Sequence, residues 1–63
     1  MHTFTVEIRE SALEPGQWVV HVKPWPYRMR VEQWKTFDSE QEAIAGAPAV
    51  LKAALESEES NAA

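Results

Sequence analysis

From Thr3 to Glu10 the chain alternates, with Phe4, Val6 and Ile8 pointing one way and Thr5, Glu7 and Arg9 the other. That two-residue period marks a half-buried strand and is incompatible with a helix, whose apolar positions recur every three or four residues. Such a strand needs a neighbour on its edge and a cover for its apolar side. The remainder of the chain must supply both.

The first neighbour follows at once. Glu14-Pro15-Gly16 lies between Ser11 and Gln17. Proline presets φ at the first central position of a turn and glycine supplies positive φ at the next, so this stretch predicts a hairpin loop. A second strand is predicted from Gln17 to Lys23, with Trp18, Val20 and Val22 on one face and Val19, His21 and Lys23 on the other. Pro24-Trp25-Pro26 then predicts a break, because neither proline donates to a ladder. A third strand is predicted from Tyr27 to Thr36, its apolar face made of Tyr27, Met29 and Val31 and its other face of Arg28, Arg30 and Glu32. Trp34 is out of phase with that apolar set. Either a bulge near Gln33 returns it to the core, or it stands on the basic face.

The cover comes last. Ser39 and Glu42 have the spacing of a capping box, and the acids beside them suit the positive end of a helix dipole. Ile44, Ala47, Leu51 and Ala54 with Leu55 recur at helical spacing and define the face expected on the sheet. Pro48 predicts a kink or two short helices. The expected architecture is α+β: a three-stranded antiparallel meander with one C-terminal helix packed on one face, β-β-β-α. Residues 1–56 form the single domain and 57–63 a frayed polar tail.

Size and composition limit what such a domain can do. The chain has 63 residues and no cysteine, so disulfides and thiolate zinc sites are excluded as props for a small core. His2 and His21 are too far apart to form a motif. Association, as a homodimer or with another protein, is the remaining support. Met1-His2-Thr3-Phe4 enters the alternation with no charged segment before an apolar one, so no signal peptide is expected. No apolar run approaches a membrane span, and a cytoplasmic protein is predicted.

Catalysis finds little in these residues. Ser11, Ser39, Ser57 and Ser60 fall in a turn, a helix cap and the tail, where serine serves the local backbone. His21 has the chemistry of a general base or a pH-sensitive contact, but a half-exposed strand histidine accounts for it more simply. Glu56, Glu58 and Glu59 lack the alternate-residue spacing of a cation loop, and the two glycines are isolated rather than part of a phosphate cradle. No enzyme, cofactor or metal is predicted.

The segment from Trp18 to Phe37 is the informative one. It holds three tryptophans, a tyrosine and a phenylalanine. From Lys23 to Lys35 four bases meet only Glu32, a surplus of +3, whereas the rest of the chain carries −7. Trp18 and Tyr27 are assigned to the core, and the predicted contact residues are His21, Lys23, Trp25, Arg28, Arg30, Trp34 and Lys35. Aromatics interleaved with bases suit two kinds of partner. One is a protein interface, where Trp, Tyr and Arg anchor affinity. The other is a single-stranded nucleic acid, with rings stacking on bases and cations on phosphates. The acidity of the remainder opposes a polyanion, and sheet edges can accept a strand from a partner or a twin, so protein binding leads.

Gly16-x-Trp18-Val19-Val20, the basic strand and Phe37-Asp38-Ser39-Glu40-Gln41-Glu42-Ala43-Ile44-Ala45 look like short bacterial and phage β-β-α modules. The last motif resembles the strand-to-helix junction of HicB-like antitoxin domains. That resemblance implies binding and masking of a toxin partner. A phage- or mobile-element-type inhibitor, an accessory factor or an antitoxin-like partner is the expectation.

Overall fold

A computed structural model describes residues 3–61, with the side chain of residue 61 left aside; His2 and residues 62 and 63 lie outside the described residues. The elements are β1 (Thr3–Glu10), β2 (Trp18–Trp25), β3 (Gln33–Phe37) and α1 (Glu40–Asn61). The strands form one antiparallel sheet in the order β1-β2-β3, with α1 packed on one face, which is the β-β-β-α arrangement the alternation predicts. Val6 lies opposite Val22 and Ile8 opposite Val20, while Trp18 faces Phe37 and His21 faces Trp34.

The hairpin is made as its turn residues require. The Gln17 N–H donates to the Glu14 carbonyl at 3.1 Å, and Gly16 has φ 94°. Pro15 and Gly16 thus take the two central positions of a turn that only a residue tolerant of positive φ can close. The Ser11 N–H donates to the Gln17 carbonyl at 2.8 Å and ties the loop's base.

Beyond the hairpin the structure corrects two boundaries. β2 continues through Pro24 to Trp25 where a break was expected, and the Trp25–Pro26 peptide is cis. The reason lies in the register: β3 reaches only Gln33, opposite Val22. Past Val22 one side of β2 is an edge, where a proline is tolerated. The third strand in turn begins at Gln33, not at Tyr27. The N–H groups of Val31 and Glu32 both donate to the Arg28 carbonyl, at 3.0 and 3.2 Å. Their donors are engaged locally, so the Arg28–Glu32 stretch turns instead of joining the ladder. Tyr27, Met29 and Val31 therefore do not share a face. Val31 is fully buried, Met29 is 76% exposed, and Tyr27 is half exposed, not core.

Ser39 caps the helix as expected: its hydroxyl accepts the Glu42 N–H at 3.1 Å and its carbonyl the Ala43 N–H at 3.0 Å. Glu40 and Glu42 occupy the first turn. One helix runs through Pro48 and on to Asn61, past Leu55 and into the stretch expected to fray. The carbonyl that Pro48 leaves without its N–H partner belongs to Ile44, an exposed residue, so water can serve it.

The core consists of Val20, Val22, Val31, Ala43, Val50 and Ala54, flanked by Phe4, Ile8, Trp18, Phe37, Ala47 and Leu51. The helix face on the sheet keeps Ala47, Leu51 and Ala54 of the predicted set but is rotated away from Ile44 and Leu55. Ala43, Val50 and Ala54 are buried, while Ile44 and Leu55 are 57% and 45% exposed. Small side chains let the helix sit close to the sheet, and Gly46 shows how close. A Cβ added there would stand 2.5 Å from Cε2 of Phe37.

Gly46→Ala is therefore expected to lower stability even though alanine is the better helix former by about 1 kcal/mol. Overpacking against the Phe37 ring costs about 1–3 kcal/mol. A net loss near 1 kcal/mol would lower the thermal midpoint by roughly 4–8 °C in a domain of this size, measurable by circular dichroism.

Candidate functional site

Because Val20 and Val22 face the helix, pleating sends His21, Lys23 and Trp25 to the other side of β2. The registers place Glu7 of β1 opposite His21 and Trp34 of β3 opposite it on the other flank. These side chains stand on a sheet face the helix does not cover. Trp25 is 70% exposed and Trp34 75% exposed, so no bulge returns Trp34 to the core. The His21 and Trp34 rings lie 6.3 Å apart at 49°.

The turn after β2 closes over this face through one acid. Glu32 accepts a hydrogen bond from the Tyr27 hydroxyl at 2.8 Å on one carboxylate oxygen, and its other oxygen lies 2.5 Å from Nε2 of His21. A carboxylate only accepts, so Nε2 carries the proton in that contact. The Tyr27 hydroxyl, followed by the His21 contact, holds the Glu32 carboxyl below its ordinary value of 4.5. The same Glu32 bond raises the Tyr27 hydroxyl above 10.0. A groove of about 440 Å³ results, with Trp25, Tyr27, Lys23, Glu7, His21 and Glu32 among its lining.

The predicted contact residues are only partly brought together. His21, Lys23 and Trp25 line or adjoin the groove, and Trp34 stands beside His21. Arg28 and Arg30, expected on a strand face, lie in the turn before β3. Arg30 lines a depression with Gln33, Ser57 and Ser60 on the helix side. Lys35 shares the helix-facing register of Val20, and its ammonium lies 5.5 Å from the centre of the Phe37 ring. The bases are thus dispersed instead of forming one cationic face. Sequence reasoning missed Tyr27, Glu32 and Glu7 as members of the site. Their signal lay in the pairing register, which puts Glu7 across from His21, and in the turn that folds Glu32 back.

Among the described residues no cluster of three histidines or acids could hold a metal ion, and no described helix is long and apolar enough to cross a membrane. No protein-family model matches the chain, and no curated protein or solved structure matches it.

The Tyr27–Glu32–His21 contacts imply a pH dependence with a definite sign. A lowered carboxyl stabilises the fold above pH 4.5, and that contribution is lost as pH falls through the folded-state value. Tyr27 adds the opposite limb, lost as pH rises past its raised value above 10.0. Thermal melts of Glu32→Gln are expected to show a shallower fall below pH 4.5 than the parent chain. Equal acid limbs in the two proteins would remove this network from the account.

Proposed function

We propose that the chain is a small non-catalytic protein-binding module that works in the cytoplasm and engages its partner with the uncovered sheet face. The observation that carries this reading is the presentation of Trp25, Trp34 and Tyr27, three large exposed rings around His21, beside a groove of about 440 Å³. Folded chains leave single apolar residues exposed without consequence, but grouped aromatics with polar rims are characteristic of interfaces. The clamp on Glu32 holds the turn bearing Tyr27 against the sheet, so part of the ordering needed for contact is complete before binding.

The distribution of charge favours protein over single-stranded nucleic acid. A nucleic-acid strand needs cations in line with its stacking rings. Here only Lys23 of the four bases lines the aromatic groove, and Glu7 and Glu32 line it too. Arg30 and Lys35 belong to the helix side of the sheet. A role as a phage- or mobile-element-type inhibitor, accessory factor or antitoxin-like partner fits a module of this size and kind.

The test is affinity capture from the native host with the immobilised chain. One protein recovered in stoichiometric amount is expected, with release by Trp34→Ala or Trp25→Ala and retention by the Arg28→Ala, Arg30→Ala double variant. A labelled oligo(dT) bound in low salt, and lost in that double variant, would reverse the ranking in favour of nucleic acid.

A further inference from the structure

We infer that β1 is a homodimerisation edge, pairing antiparallel with β1 of a second copy across a two-fold axis at Val6. This inference rests on the β1 edge and the helix side of the sheet and does not depend on the aromatic rings. Three independent observations meet at this edge.

The first is the strand itself. β1 is eight residues long and has β2 on one side only. An edge of this length with no proline and no bulge offers its unpaired backbone groups to another strand. Its helix-facing row is only partly covered: Val6 is 42% exposed, and Phe4 and Ile8 are half-buried.

The second is the rotation of the helix. Its Gly46, Ala49 and Ala53 flank lines a groove with Gln33 and Lys35 on the β3 side. Ile44, Pro48, Leu51 and Leu55 recur at spacings of four, three and four residues, which places them on one stripe along the other flank, towards β1. Ile44 and Leu55 are about half exposed there. The apolar residues that look misplaced on the helix thus border the apolar row that β1 leaves uncovered.

The third is area. A compact monomer of 7.2 kDa exposes about 4,100 Å². This chain exposes 4744 Å², roughly 600 Å² more than that, so it has surface to give to a standard interface of ~800 Å² per partner.

A second copy fits this edge because the strand is complementary to itself. Residues directly opposed in an antiparallel pair point to the same face, so only registers that pair even with even numbers keep the apolar row together. Centring on Val6 sets Phe4 against the partner's Ile8 and Val6 against the partner's Val6, with all three apolar positions opposed to apolar ones. Thr5 then meets the partner's Glu7 and Thr3 the partner's Arg9, so no like charges are directly opposed. Centring on Glu7 would oppose two carboxylates, and centring on Ile8 would set Val6 against the partner's Glu10. The product is a continuous six-stranded sheet with both helices on one face and their Ile44–Leu55 stripes turned towards each other.

The chain has no cysteine, which makes the register directly readable. Opposed Cα atoms lie about 4.5–5.5 Å apart, within disulfide range. Val6→Cys, oxidised with diamide, is expected to give a covalent dimer. Ile8→Cys is not, because the two copies of position 8 lie about 13 Å apart along the strands in this register. Sedimentation equilibrium of the full chain at tens of micromolar is expected to give twice 7.2 kDa. Val6→Lys and, independently, Ile44→Glu should return it to monomer with an unchanged helical circular dichroism spectrum, whereas Trp34→Ala should leave the dimer intact. A monomeric parent chain overturns the inference. So does a dimer that Trp34→Ala dissolves and Val6→Lys does not, or one in which Val6→Cys fails to cross-link. A dimer lost only in Trp34→Ala would instead make a second copy the occupant of the aromatic face, whereas a monomeric parent chain leaves partner capture by that face to its own test.

Discussion

The phase of β2 governs the whole molecule. Among the described residues it is the central strand of the sheet, and its pleat sends Val20 and Val22, both fully enclosed, beneath the helix. The same pleat sends His21, Lys23 and Trp25 to the uncovered face. A slip of one residue would exchange these sets, placing an imidazole and an ammonium under the helix and two valines in water. The buried core and the exposed aromatic face are thus two consequences of a single register. The hairpin turn at Pro15-Gly16 sets that register against β1, and the ladder from Trp18–Phe37 to Val22–Gln33 sets it against β3.

What could be read without coordinates follows from how local each signal is. The β1 alternation, the Pro15-Gly16 turn and the Ser39 cap are decided by neighbours within a few residues, and the structure has each of them as expected. The third strand was misjudged because Met29-Arg30-Val31-Glu32 alternates as a strand would. What decides it is a bifurcated bond to the Arg28 carbonyl, which no pattern of side chains displays. The helix face is legible only in part, for a different reason: Ala47, Leu51 and Ala54 pack on the core as expected, and Ile44 and Leu55 do not. Large apolar residues at helical spacing point to Ile44 and Leu55, but the sheet selects the small flank, since only Gly46 lets the Phe37 ring approach. The site suffered from the same non-locality: Glu32 belongs to it only because the turn carries its carboxylate back to His21, eleven residues earlier.

Dispersal of the four bases changes what the charge asymmetry means. Counted along the chain, Lys23 to Lys35 is a cationic block within an acidic protein. In space the block separates, because the turn at Arg28 and the strand at Gln33 aim its members at different surfaces. A linear surplus of charge becomes a field only where folding keeps the charges on one side. On the uncovered face the dominant property is aromatic area interrupted by a few polar groups, which suits recognition by shape and burial more than by long-range attraction.

The size of the chain bears on both the uncovered face and the β1 edge. A core whose largest fully buried side chains are valines gives a 63-residue chain little reserve. A domain this thin cannot enclose both faces of a three-stranded sheet with one helix, and the helix cannot cover the sheet's full width. The uncovered face and the β1 edge are therefore what remains apolar once the only available cover is in place. Placing a second copy at the edge would extend the hydrophobic layer sideways, and on the uncovered face it would meet only the Thr5 and Glu7 rim of the groove. The extended sheet would then display two aromatic faces on one side, and a partner able to reach both would be held by two contacts instead of one.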